Sequence, residues 1–386
     1  MVERLVLGGR RSASNETARQ INRNILFNLI RTQQPLSRAD LARISGLQRS
    51  TVSLIVEDLV ARHWVLEGPT VRIPRGRSPK FLRLDDQRAV IALDLQPRQS
   101  TIAVADLAGA ILAQQTIAIP DDSAQAVSVI VRGIRGIMRE HGQKSFNGIG
   151  ICLPEQAHPE YEHTMLASSL YSTHCNIKSC IAKATGLRVE MESVARACAL
   201  AEVWFGPGDR RRDLVVVHVA EGIEAGIFAN GRLLRGQRGM AGGFEHVPLS
   251  LEGPLCRCGS YGCWDVLASN RAALGFYAEA GGAKRASTFE ELRKVATNGE
   301  QAAMIVLEWM CVNLGRGLRT IVSALAPHEI VVVGDITAVW GTHSSIVETE
   351  MRKCSAGKCP VLRPIFIRDM ARLRGALATV LNAGVV

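Results

Sequence analysis

One pattern occurs twice in this chain, and it limits the possible folds more than any other feature. The stretch 90–118 reads as two or three strands: Val90 to Leu95, Ser100 to Asp106 and, after a turn at Leu107-Ala108-Gly109, Ile111 to Thr116. A helix over roughly 123–141 and a buried strand at Gly148 to Cys152 come next. At 213–235 the order restarts with Leu214 to Val219, Ala225 to Ala229, an Asn230-Gly231 hairpin turn and Arg232 to Leu234. The strand Ile330 to Val333 lies further on, and Arg368 to Ala383 has the pattern of an amphipathic helix. A βββ-α-β unit recurring about 120 residues later implies an α/β body of two similar lobes with a cleft between them.

The residues ahead of the repeat follow a different pattern. Ile21, Ile25, Leu26, Leu29 and Ile30 form one helical stripe, which Pro35 ends. Ser37-Arg38-Ala39-Asp40 reads as a capping box opening a short helix that stops at Ser45-Gly46. A third helix buries Val52, Ile55, Val56, Leu59 and Val60. Two helices joined by a short turn beside a glycine make a helix-turn-helix. Arg49, Ser50, Ser53 and Leu54 fall on the outer face of the third helix, with Thr51 adjacent. Arg can fork to guanine, and hydroxyls bond bases or phosphates, so this face suits a major groove. Trp64-Val65-Leu66 and Phe81 to Leu84 read as two strands flanking a basic tip, Arg72 to Lys80. In that tip, Gly76 lets Arg75 and Arg77 approach a narrow minor groove closely. Residues 1–85 are therefore expected to be a winged helix-turn-helix, and 86–386 the two-lobed body.

Charge agrees with that division. Residues 1–85 hold 15 basic and 7 acidic side chains, net +8, while the whole 386-residue chain is only +10. A basic head collects a polyanion by releasing counterions. With 47% hydrophobic and 21% charged residues, the chain is not a disordered or low-complexity protein. No apolar run approaches the roughly 18 residues of a membrane span. Met1-Val2-Glu3-Arg4-Leu5 places charges where a signal peptide is apolar, so a cytoplasmic location is expected.

Ten cysteines are present, and only three cluster. Cys256, Cys258 and Cys263, together with His246, supply three thiolates and one imidazole within 18 residues. Gly259 and Gly262 let the chain bend between them. Four such ligands fill a tetrahedral Zn²⁺ shell and leave no open position, so a structural zinc loop is expected over 246–263.

Taken together, Gly239-Met240-Ala241-Gly242-Gly243-Phe244-Glu245-His246, the Cys256-Arg257-Cys258-Gly259…Gly262-Cys263 loop and the Gly76-Arg77-Ser78-Pro79 tip resemble the ROK family of repressors, open reading frames and sugar kinases. The resemblance covers nearly the whole chain. It implies an actin-like ATPase/hexokinase (RNase H-like) body. Members with a winged helix resemble repressors responsive to sugars such as xylose, glucose or N-acetylglucosamine. Several family positions differ here. The phosphate loop Asp-x-Gly is Asp94-Leu95-Gln96, and Val194 stands at the position of the aspartate base and cannot accept a proton. Glu221 and Glu224 occupy the second phosphate loop, and Gly334-Asp335 replaces a Gly-Gly pair. The family's sugar-binding positions correspond to Ser193, Val194, Gly243, His246 and Asp265. Glu155 and Gln156 stand in a cleft loop where the family usually has glycine, either as new polar contacts or as solvated residues.

The expected function is a DNA-binding transcriptional regulator, a repressor, whose kinase-like body senses a sugar or sugar derivative without phosphorylating it. No catalytic residues are assigned. Expected partners are a double-stranded DNA operator, a small-molecule effector bound near Glu155, Ser193, His246 and Asp265, and further copies in a homodimer or homotetramer. The competing readings are an ATP-dependent sugar kinase carrying a winged helix, and a zinc-stabilised scaffold for a protein partner.

Overall fold

The computed structural model describes residues 15–70, 79–154, 177–206, 213–282, 286–353, 359–365 and 368–384. The N-terminal unit contains α1 (Asn15–Gln33), β1 (Leu36–Ser37), α2 (Arg38–Ser45), α3 (Arg49–Ala61), β2 (Val65–Thr70) and β3 (Lys80–Leu84). Its sheet has the order β1-β3-β2 and is antiparallel. The strand at β1 was not expected. Leu36 and Ser37 pair with Leu82 and Phe81, and two residues are too few to carry an alternation that sequence can reveal.

The first lobe follows with β4 (Arg88–Asp94), β5 (Gln99–Asp106), β6 (Ile111–Ala118), α4 (Ser123–Glu140), β7 (Ser145–Leu153), α5 (Ile177–Thr185), β8 (Val189–Ser193) and α6 (Val194–Phe205). The second lobe contains β9 (Leu214–Val219), β10 (Ile223–Ala229), β11 (Arg232–Leu233), α7 (Asp265–Ala268), α8 (Asn270–Tyr277), α9 (Phe289–Thr297) and α10 (Gln301–Leu325). It continues with β12 (Glu329–Gly334), α11 (Trp340–Arg352), β13 (Val361–Pro364) and α12 (Arg368–Gly384).

The repeat is real at the level of topology. The two five-stranded sheets run β6-β5-β4-β7-β8 and β11-β10-β9-β12-β13, the same arrangement. In each, the first three strands are antiparallel and the last two join in parallel. The stretch 90–118 resolves into three strands. β8 and β13 were not expected, because each is a short parallel strand at a sheet edge without a clean period.

Helices α6 and α12 pack against each other, α12 on the first sheet and α6 on the second. Two glycines permit this closeness. A Cβ on Gly150 in β7 would sit 1.8 Å from the Ala376 carbonyl of α12, and one on Gly226 in β10 would sit 2.3 Å from the Ala195 carbonyl of α6. The outer faces of the two sheets have separate cores, one built on Ile91, Leu93, Ile130 and Ile151, the other on Val217, Ile227, Leu314 and Val332.

The inner core runs on into the N-terminal unit. Phe27 of α1 packs edge-on against Trp64 at 5.6 Å and against Trp204 of α6 at 5.9 Å. Arg31 donates to the Ala108 carbonyl at 3.1 Å and to that of Trp204, and its guanidinium lies 4.8 Å from the centre of the Phe205 ring. A fully buried phenylalanine in such a junction contributes about 3–5 kcal/mol, so the head is seated on the body rather than tethered to it.

Candidate nucleic-acid interface, metal centre and interlobe cleft

The α2–turn–α3 unit is set by its caps. The Ser37 hydroxyl accepts from the Asp40 backbone N–H at 3.2 Å, and the Asp40 carboxylate accepts from the Ser37 N–H at 3.1 Å. The Ser37 hydroxyl and the Arg43 guanidinium hold the Asp40 carboxyl below its ordinary pKa. Gly46, at φ 72°, ends α2 in the left-handed conformation that favours glycine. Val52, Ile55, Val56 and Leu59 of α3 are buried. Arg49 and Ser50 are exposed, Thr51 and Ser53 are half-buried, and Leu54 is 61% exposed. The Leu54 side chain therefore stands on the outer face and not in the core. Arg38 bridges α2 to its neighbours through Glu57 at 3.3 Å and Glu67 at 2.9 Å. Sequence reading missed this clamp because its partners lie 19 and 29 residues away. Arg75, Gly76 and Arg77 lie outside the described residues. The ribbon that leads to them is paired, Val65 with Leu84 and Thr70 with Lys80.

The ligand atoms of His246, Cys256, Cys258 and Cys263 all lie within 4.8 Å of one another. Cys258 Sγ is 3.6 Å from Cys263 Sγ, and Cys256 Sγ is 3.5 Å from His246 Nδ1. Sulfurs bound tetrahedrally at about 2.3 Å would be separated by about 3.8 Å, so one cation fits this cluster with little adjustment. The other histidine nitrogen, Nε2, lies 3.7 Å from the buried Glu245 carboxylate. Burial and the neighbouring thiols push the Cys263 thiol up to about 12. Burial and the Arg257 charge lower the His246 pKa, which favours the neutral, ligating imidazole. Gly262, at φ 61°, could not be replaced, since a Cβ would fall 1.8 Å from the Ser250 carbonyl. Trp264 next to the cluster packs on Gly317 of α10 and anchors the loop in the core of the second lobe.

Between the lobes lies a cavity of about 300 Å³ lined by Gln96, His218, Glu221, Gly334, Asp335 and Arg372. Asp94, at the end of β4, is 3% exposed; one of its oxygens accepts from the Gln96 amide at 3.0 Å and lies 3.0 Å from the Arg372 guanidinium in an ion pair. Asp335 accepts from the Asn270 amide at 2.6 Å. Nearby, Val194 is buried at the start of α6, and Ser193 is its buried N-cap residue, without a side-chain capping bond. Glu192 and Arg196, both 1% exposed, form an ion pair at 2.5 Å, and Arg235 approaches Glu192 at 2.7 Å. Arg196 also donates to the Gly239 carbonyl at 2.8 Å, and Glu224 faces the Ala195 N–H at 3.4 Å. The i,i+4 spacing of Glu192 and Arg196 was visible in sequence, but not their burial.

Asp265 is fully buried; it accepts from the Ile223 N–H at 3.0 Å and from Arg271 at 2.6 Å. With both oxygens engaged, it ties the β9–β10 turn to α7 and α8. His246 belongs to the thiol cluster, and Glu155 lies outside the described residues.

Two like-ordered sheets around a central cleft define an actin-like α/β body. The ROK family model matches residues 90–383, and the chain belongs to the ROK family. It is 25% identical over 339 residues to the xylose repressor of Caldicellulosiruptor bescii, covering 84% of this chain and 85% of that protein. Among solved structures, a ROK family transcriptional regulator described as a homolog of the Escherichia coli MLC protein superposes with a TM-score of 0.76 at 25% identity, covering 95% of this chain and 98% of the other. The ROK hexokinase of Thermus thermophilus superposes with a TM-score of 0.64 at 26% identity, covering 75% of this chain and 97% of its own. Among the described residues no helix is long and apolar enough to cross a membrane.

Proposed function

We propose that this chain is a sugar-responsive transcriptional repressor with a winged helix-turn-helix at 1–85 and a sensing body at 86–386. The single observation that carries this reading is the extent of similarity. The regulator structure covers 95% of the chain, while the hexokinase covers 75% and is itself matched almost end to end. The fifth of the chain that separates them is the size of the basic head.

In this reading α3 enters the major groove. Arg49 forks to a guanine, Ser50, Thr51 and Ser53 bond bases or phosphates, and Leu54 meets a thymine methyl. Arg75, Gly76 and Arg77 reach the minor groove beside it. His246, Cys256, Cys258 and Cys263 hold a Zn²⁺ that cross-links the loop and takes no part in chemistry. A homodimer presents two heads to a palindrome-like operator. The body binds a small molecule without transferring phosphate. Val194 cannot accept a proton, and Asp94 is bonded by Arg372 and Gln96. Bound ligand shifts DNA affinity only as far as it prefers one lobe arrangement.

Selection from random duplexes followed by footprinting tests this directly. A sequence-selective site that Arg49→Ala weakens supports it, and no selected sequence refutes it. The likeness to the hexokinase favours a second reading, a sugar kinase with a DNA-binding head. Coupled ADP release over a panel of hexoses and amino sugars separates the two.

A further inference from the structure

The head is joined to the body twice. The covalent link is short, since β3 ends at Leu84 and β4 begins at Arg88. Lys144 of the body donates to the Asp86 carbonyl at 2.6 Å and pins that link. The second attachment is the end of α6. The Trp204 carbonyl lies in the last turn of this helix, where carbonyls lack a donor within the helix itself. Arg31 of α1 supplies the donor. The Asn28 amide oxygen holds the Arg31 guanidinium in place, accepting from Nε at 3.2 Å and from Nη2 at 3.0 Å. Nη1 donates to the Ala108 carbonyl at 3.1 Å, and Cζ lies 4.8 Å from the centre of the Phe205 ring. A planar fork can serve these acceptors and stack on a ring at once, whereas a lysine ammonium is a hydrated point charge.

The path from this contact to α3 is short. Phe27, one turn before Arg31, sits between Trp204 at 5.9 Å and Trp64 at 5.6 Å. Trp64 follows α3 closely, and its N–H donates to the Leu59 carbonyl of that helix at 2.9 Å. Beside the link the packing opens. A crevice of about 460 Å³ is lined by Pro35 and Leu84 of the head and by Asp106, Leu107 and Ala108 of the body. This crevice leaves the head room to tilt about the link. The Arg31 contact, which ends on the same Ala108, opposes that tilt.

We propose that Arg31 is a positioning residue for DNA recognition. It caps α6 from the head, so the body fixes the direction of α3. It thereby sets the separation at which two half-sites are read, without itself touching DNA. The inference rests on the repressor reading, in which two copies present two heads to one operator.

The test is binding of the full-length protein to selected duplexes whose half-site separation is varied base pair by base pair. Fixed heads engage together at one separation and again at whole helical turns from it, about 10 base pairs apart. The wild type should lose about a hundredfold or more in affinity when the separation changes by about half a turn, because simultaneous engagement is then lost. Arg31→Ala should flatten that profile to within about tenfold, because a head on a loose link reaches more separations. Its affinity for an isolated half-site should stay that of the wild type. Arg31→Lys keeps the charge and the stem but not the fork. It should behave as the alanine variant does, and it carries the test if that variant does not fold. A wild-type profile in these variants would overturn the proposal. So would a fall at the isolated half-site equal to that at the full site, which would place Arg31 in the DNA contact or in the folding of the head. A wild type that selects a half-site yet tolerates every separation overturns the positioning and leaves the repressor reading standing. A wild type that selects no sequence overturns both.

Discussion

The thiol loop and the interlobe cleft satisfy their polar groups in opposite ways. In the loop, four donors converge on one point and bring no cation of their own. In the cleft, the charges find each other: Glu192 with Arg196 and Arg235, and Asp94 with Arg372. The first arrangement is one that an ion from outside would complete. In the second, Glu192 and Asp94 already have cationic neighbours.

Removing metal should produce the largest effect. Chelation, or Cys263→Ser, should cost on the order of 5 kcal/mol, less than the roughly 10 kcal/mol or more of a small zinc domain because the loop is only part of its lobe. Calorimetry reads this as a lower melting temperature, and an unchanged melt would break the comparison. Next in size is the cleft pair. Arg196→Ala leaves Glu192 buried with less compensation and should cost about 3–5 kcal/mol in urea unfolding. Replacing both, as Glu192→Leu with Arg196→Met, should come close to neutral if the pair is structural rather than required for folding. On the head, Arg49→Ala should weaken binding to a selected site by about 1–3 kcal/mol and relax the preference at one base pair.

The smallest expected effect tests the capping box. Asp40→Ala should cost about 1 kcal/mol at neutral pH. The folded pKa of Asp40 is lowered, first by the Ser37 hydroxyl and then by Arg43. Its stabilisation is therefore full above the unfolded value near 3.9 and is lost as pH falls through the folded value. The wild type and the variant should converge in acid. A gap that persists there would show that the carboxylate charge is not what matters.

The parts legible in sequence were those with a local period or a fixed spacing. The Ser37–Asp40 box, the Val52–Leu59 stripe and the triple-strand repeat all depend on neighbours within a few residues. The four metal ligands fall within 18 residues, and the fold brings all four together. What escaped depends on long-range closure. Arg31 meets Trp204 across 173 positions, and the pairing of Gly150 with Ala376 is a backbone contact with no side-chain signature. Asp265 was legible only as an acidic side chain at a ligand-like position. Its burial against Ile223 and Arg271 depends on where β10 and α8 pack.

In the proposed function the head reads duplex DNA and the body senses the effector. Fluorescence anisotropy of a selected duplex, titrated with full-length protein at moderate ionic strength beside a scrambled duplex of equal length, tests it most directly. Binding to the selected duplex should be tighter by about a thousandfold or more. Equal affinity for the two sequences, or no binding to either, would contradict it.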